Sequence, residues 1–158
     1  MAEARTKAPR RTRKGYERLT VPMMVQLAAP HTWAASVMPV LLAAAMAHAV
    51  TGRLDPGMTL VLLAICVLMQ ASVNVLNDYF DYRKGADTAA DNVEESDAVL
   101  VYHQVDPKSA LFLAVLLLAA AFALVLLVIL EAGLVPLCIA LVGAAVVALY
   151  SGGNTPIA

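Results

Sequence analysis

Charged residues are scarce in this chain and are confined to a few stretches. Only 15% of the 158 residues are Asp, Glu, Lys or Arg, against roughly a quarter in a typical globular protein. Residues 52–77 hold two charges and residues 107–158 hold two more, whereas 61% of the whole chain is hydrophobic. With a mean hydropathy of +0.74, this distribution argues against a soluble domain and is typical of a protein that crosses a membrane several times.

Cysteine is scarce as well. The chain has two cysteines, Cys66 and Cys138, and each lies inside an apolar run. They form no spacing motif, so the sequence predicts no disulfide framework.

Long apolar segments are what the chain does have. An apolar segment of about 20 residues can cross a bilayer, and a helix satisfies its backbone groups in lipid. Pro30 and Pro39 should kink the first segment or delay its start. The sequence therefore predicts an all-α polytopic membrane domain over residues 21–158, with the lipid bilayer around it and four transmembrane helices at about 23–50, 58–80, 109–130 and 133–150.

The charged stretches predict the orientation. Residues 1–20 contain seven basic and two acidic residues, a net charge of +5, and we expect a disordered cytoplasmic arm there. The positive-inside rule explains this arm without any nucleic acid ligand. Two helices separate the arm from the loop at 81–108, so the loop is predicted on the same side. The stretch from 78 to 106 is acidic, with eight acidic and two basic residues.

Polar residues recur along the second apolar segment. Gln70, Asn74, Asn77 and Asp81 are spaced four, three and four residues apart, which places them on one face of a helix. We call these four residues the polar stripe. A polar stripe on an apolar membrane helix is expected to face a bundle interior or a cavity.

The end of this segment has the residue types of a cation site. Beyond Gly85, Asp87 could converge with Asp81 on one hard cation, and carboxylate and amide oxygens suit Mg²⁺. Arg83 and Lys84 would add positive charge for a diphosphate. An alternative stays open, in which the amides only join helices by hydrogen bonds and the aspartates near the helix end are ordinary solvated residues.

Three stretches carry a family resemblance. "NDYFDYRKGAD" (77–87) has the form N-D-x-x-D-x-x-x-G-x-D and resembles the first aspartate-rich motif of the UbiA superfamily of intramembrane aromatic prenyltransferases. It is most similar to the branch that prenylates 1,4-dihydroxy-2-naphthoate in menaquinone synthesis. "APHTWAASVMPVLL" (29–42) is similar to the first helix of that branch, and "LYSGGNTPIA" (149–158) to the stretch that closes its fourth helix.

The resemblance implies a fold, a reaction and a site. The fold would be a bundle of about nine membrane helices, of which this chain holds the N-terminal part. Mg²⁺ would bridge the aspartates and a polyprenyl diphosphate, and the prenyl group would pass to an aromatic acceptor that loses its carboxyl group. Carried over by position, the catalytic and metal-binding residues would be Asn77, Asp81 and Asp87. The substrate-binding residues would be Asn74, Arg83, Lys84 and His31.

The chain also departs from the family pattern. The family has a second motif, D-x-x-x-D, in its second half, whereas Glu131 is the one acidic residue after Asp106 here. The family's first-helix Arg and Lys correspond to Ala29 and His31. We therefore expect a missing C-terminal half and no activity from residues 1–158 alone.

Two other classes of function remain as alternatives. The chain could be a small four-helix transporter or channel subunit in which the polar stripe lines a pathway. It could also be a non-catalytic membrane protein whose acidic loop recruits a basic partner, and such a protein would tolerate Asp81→Asn provided that the loop's net charge survives.

Overall fold

The described part of the chain is built from helices. The computed structural model describes residues 16–85 and 99–152, and within these ranges the only β-type pairing is an isolated bridge between Glu17 and Val105. This confirms the all-α prediction. The helices are α1 (Val21–Leu27), α2 (Ala34–Thr51), α3 (Pro56–Lys84), α4 (Val99–Tyr102), α5 (Pro107–Ala132) and α6 (Val135–Gly152), with a 3₁₀ turn at Pro30–Thr32 between α1 and α2.

Three of these helices are long and apolar enough to cross a membrane, namely α2, α3 and α5, and α6 is apolar over the shorter range Val135–Val146. The predicted segments at 58–80, 109–130 and 133–150 correspond to α3, α5 and α6, with ends shifted by two to four residues. The chain thus has the helices of a multi-pass membrane protein.

The first predicted helix, at 23–50, is broken. Residues 28–33 leave the α-helical path between α1 and α2, and Ala29 has a left-handed backbone with φ 44°. Pro30 disfavours the right-handed helical conformation in the residue before it and has no N–H to donate. Pro39, by contrast, lies inside α2. Of the two prolines, Pro30 is therefore the one placed at the break.

Local signals set the ends of α3. The Asp55 carboxylate accepts a hydrogen bond from the Met58 backbone nitrogen at 2.9 Å, and Pro56 follows at the first helical position. Gly85 ends the helix with φ 70°, a left-handed conformation that glycine adopts without steric cost. Because α3 continues to Lys84, Asp81 lies in its last turns and not at the start of the predicted loop.

The long contact between α3 and α5 forms the centre of the bundle. Ala71 on α3 and Ala110, Ala114 and Ala121 on α5 are at most 3% exposed, and the Ser72 hydroxyl donates to the Ala114 carbonyl at 2.9 Å. Small residues allow helix backbones to approach closely in membrane proteins. This contact fixes the position of α3, and the opposite side of α3 faces α1 and α2.

The larger buried cluster lies where α1, α3, α4 and the start of α5 meet. Its buried members are Leu27, Val75, Tyr79, Val99, Leu100, Val105, Ala110 and Ala114. The Glu17 backbone nitrogen donates to the Gln104 carbonyl at 3.3 Å at the same end. Residues 16–20, expected within a disordered arm, are thus attached here, and α4 interrupts the predicted 81–108 loop. Residues 1–15 and 86–98 lie outside the described residues.

Candidate active site

The first half of the polar stripe is used for helix contacts. The Ser36 hydroxyl on α2 donates to the Gln70 side-chain carbonyl at 2.9 Å, and the Gln70 amide nitrogen donates to the Asn74 side-chain carbonyl at 3.2 Å. The interpretation that the amides join helices by hydrogen bonds is therefore correct for this half of the stripe.

Asn74 forms hydrogen bonds to the segment that joins α1 to α2. Its amide nitrogen donates to the Ala28 carbonyl at 2.9 Å and to the Thr32 hydroxyl at 2.8 Å. The Trp33 indole nitrogen donates to the same Ala28 carbonyl at 2.8 Å. Helix termini leave carbonyls without helical partners, and these side chains supply the partner. Asn74 was predicted to bind substrate, and in the structure its amide nitrogen bonds the non-helical segment.

The second half of the stripe lines a cavity of about 220 Å³ between α3, the end of α1 and the 3₁₀ turn. Four predicted site residues meet there, although they come from two segments more than 40 residues apart. The full lining is Gln26, Leu27, Ala29, His31, Thr32, Asn74, Asn77, Asp78 and Asp81. The break in the first helix therefore brings the His31 segment to the carboxylates of α3.

Two of the predicted substrate-binding residues do not line this cavity. The Arg83 guanidinium donates to the Tyr79 hydroxyl at 3.2 Å and lies 5.8 Å from the Tyr79 ring centre. The Lys84 ammonium lies 5.9 Å from the Phe80 ring centre. Contacts of a cation with an aromatic ring at exposed sites contribute only about 0.5–1 kcal/mol, so a phosphate could replace them. The diphosphate contacts of Arg83 and Lys84 stay predictions. Asp87 lies outside the described residues.

The cavity has the donor type of a magnesium site. Asn77 and Asp81 are one helical turn apart on α3 and offer an amide and a carboxylate oxygen. Mg²⁺ is usually bound through one or two carboxylates, with waters and substrate phosphates in the rest of its shell. Within the described ranges no three His, Cys, Asp or Glu residues are grouped so that they could hold a metal. The donors therefore fit Mg²⁺ in type, and Asp87, the third predicted ligand, lies outside the described residues.

Asp78 is the site residue that the sequence interpretation missed. A solvated position was the alternative considered for it, but it is 7% exposed and its carboxylate accepts a hydrogen bond from the Val99 backbone nitrogen at 3.2 Å. A signal was present in the spacing. Asp78 follows Ala71 and Val75 at intervals of four and three, and both of these are buried. That spacing places Asp78 on the packed face of α3.

Comparisons with known proteins agree with this architecture. The model of the UbiA prenyltransferase family matches residues 36–157. The 1,4-dihydroxy-2-naphthoate octaprenyltransferase of Bacillus subtilis (strain 168) is 36% identical over 133 residues, which cover 84% of this chain and 42% of that protein. The chain thus spans less than half the length of this curated relative. No solved structure matches the chain significantly.

Proposed function

Because this chain belongs to the UbiA prenyltransferase family, we propose that it forms the first metal- and diphosphate-binding part of an aromatic prenyltransferase. The enzyme would transfer a polyprenyl group from an allylic diphosphate to 1,4-dihydroxy-2-naphthoate in menaquinone biosynthesis. The observation that carries the proposal is the shared cavity of Asn77, Asp81 and His31. The named activity of the Bacillus relative supports the choice of acceptor.

In the proposed reaction the allylic C–O bond breaks and its electron pair leaves with the diphosphate. An electron-rich ring carbon of the acceptor then forms a C–C bond to the prenyl group, and the acceptor's carboxyl group is lost. Mg²⁺, held by Asp81, Asn77 and Asp87, would stabilise the negative charge that develops on the diphosphate.

The chain's own residues hold this geometry in place. Asp81 and Asn77 lie on a helix that packs along α5, so their positions are fixed by the bundle. Asn74 fixes the Thr32 segment against the same helix through two hydrogen bonds. His31, on that segment, lines the cavity opposite the carboxylates and is proposed to contact the diphosphate. Preorganised groups of this kind lower a barrier because little rearrangement is needed during the reaction.

The structure also bears on the transporter alternative. A pathway along α3 would need the whole polar stripe to line it, but Gln70 and Asn74 are hydrogen-bonded to Ser36 and to the segment that joins α1 to α2. Asn74, Asn77 and Asp81 line the described polar cavity, whereas Gln70 does not. A confined binding site is the function that this arrangement supports.

We expect prenyl transfer to need a second carboxylate motif in addition to residues 1–158, in which Glu131 is the one acidic residue after Asp106. The test is co-expression with the C-terminal half of the Bacillus relative, followed by an assay of the co-purified halves with a polyprenyl diphosphate and dihydroxynaphthoate. Product should form only with both halves and Mg²⁺, and chelation with EDTA should stop it. Mg²⁺-dependent turnover by residues 1–158 alone would overturn the requirement for a second motif.

We also propose that residues 1–20 and 81–108 lie on the cytoplasmic side. The proposal rests on the +5 arm and is supported by the hydrogen bond between Glu17 and Gln104, one described residue from each segment. Single cysteines at Thr6, Ala90 and Gly52, in a background lacking Cys66 and Cys138, test it with a membrane-impermeant thiol reagent. From outside intact cells only the Gly52 position should be labelled, and outside labelling at Ala90 would exclude this topology.

A further inference from the structure

Asp78 is unusual among the charged residues of the described part. Ser72 and Asp78 are the buried polar side chains there, and the other described acidic and basic residues are more exposed. A charge is costly to bury unless hydrogen bonds compensate for the lost water. The carboxylate of Asp78 therefore needs partners that are fixed in the fold.

One such partner is the backbone of α4. Val99, the first residue of α4, donates its N–H to the Asp78 carboxylate at 3.2 Å, and this contact joins residues 21 positions apart in the chain. Val99, Leu100 and Val105 are all 0% exposed. The short helix is thus packed into the larger buried cluster, next to α1 and the last turns of α3.

Asp78 also lines the cavity that contains Asn77 and Asp81. Asp78 therefore lines the proposed reaction site and also bonds the first residue of α4. Its neighbour Asn77 lines the same cavity from a position about 100° away around the helix.

We propose that Asp78 is a positioning residue: it lines the cavity and fixes α4 against the last turns of α3, and it is not one of the magnesium ligands. Its importance for prenyl transfer rests on the proposed function, whereas the anchoring of α4 does not. Asparagine in its place keeps an oxygen that can accept from Val99, and leucine of similar shape does not.

Hydrogen–deuterium exchange of the 158-residue chain in lipid nanodiscs tests the anchoring without any ligand. In Asp78→Leu, amides in the peptide 99–105 should exchange at least about tenfold faster, since the lost bond leaves a buried donor unsatisfied. Asp78→Asn should stay within about threefold of the unmodified protein. Asp81→Leu, one turn along the same helix, is the matched control and should leave this peptide unchanged. Unchanged exchange in Asp78→Leu would overturn the proposal.

Two further measurements cover misfolding and the metal role. If the amides of α5 also exchange faster in Asp78→Leu, that variant is misfolded and Val99→Pro is tested in its place. Proline removes the Val99 donor and is tolerated at a first helical position. Exchange of residues 100–105 should then rise while that of α5 does not, and no rise overturns the proposal.

In the complemented enzyme, assembled from this chain and the co-expressed C-terminal half, Asp78→Asn should change the Mg²⁺ concentration for half-maximal rate by less than about threefold. A rise as large as that of Asp81→Asn would instead make Asp78 a metal ligand.

Discussion

Asp81→Asn is expected to lower the rate of prenyl transfer by the complemented enzyme at least about 10²-fold, the scale for losing one preorganised charge-stabilising group. Asp81 is half-buried and lines the cavity with Asn77, so water screens its charge less than it would at a fully exposed position. Asparagine has nearly the same shape as aspartate, so a loss of rate would be due to the missing negative charge. The measurement is the initial rate at saturating diphosphate over a range of Mg²⁺ concentrations.

Two variants in the neighbouring acidic stretch serve as comparisons. Asp87→Asn should cost as much as Asp81→Asn, because both occupy positions of the N-D-x-x-D-x-x-x-G-x-D motif. Asp91→Asn removes an equal charge from a position outside the motif and should have little effect. Full activity of Asp81→Asn would exclude the proposed site.

Asn74→Leu is expected to destabilise the bundle by about 1–3 kcal/mol, since it removes one of the two side-chain donors to the Ala28 carbonyl and the donor to the Thr32 hydroxyl. Measured hydrogen bonds between membrane helices average about 0.6 kcal/mol, so two lost bonds set the lower end of this range. Equilibrium unfolding in mixed micelles with increasing SDS measures the free energy. We expect activity to fall too, because the His31 segment would lose its attachment to α3.

Gln26→Leu is the matched control for Asn74→Leu. Gln26 lines the same cavity, but its side chain is exposed, so the same exchange of an amide for an apolar group should change the unfolding free energy by less than about 0.5 kcal/mol. Equal losses of unfolding free energy in the two variants would mean that the destabilisation comes from making the cavity less polar. It would then not come from the hydrogen bonds of Asn74 to Ala28 and Thr32.

Local signals in the sequence were enough to predict three of the helices and the shared face of the polar stripe. The apolar segments at 58–80, 109–130 and 133–150 correspond to α3, α5 and α6, because the length of an apolar run and the backbone's need for partners in lipid leave little choice of structure. The spacing of the polar stripe placed Asn77 and Asp81 on one helix face, and both line the cavity.

What the polar side chains bond to was decided by tertiary structure alone. Spacing gives the direction of a side chain around a helix but not the element that lies in that direction. Asn74 and Asn77 share a face and both line the cavity, and Asn74 also bonds Ala28 and Thr32 because these two residues lie against its turn of α3. Asp78 is buried because α4 packs against it. Contacts between segments this far apart in the chain form only when the helices pack together, so no local pattern could predict them.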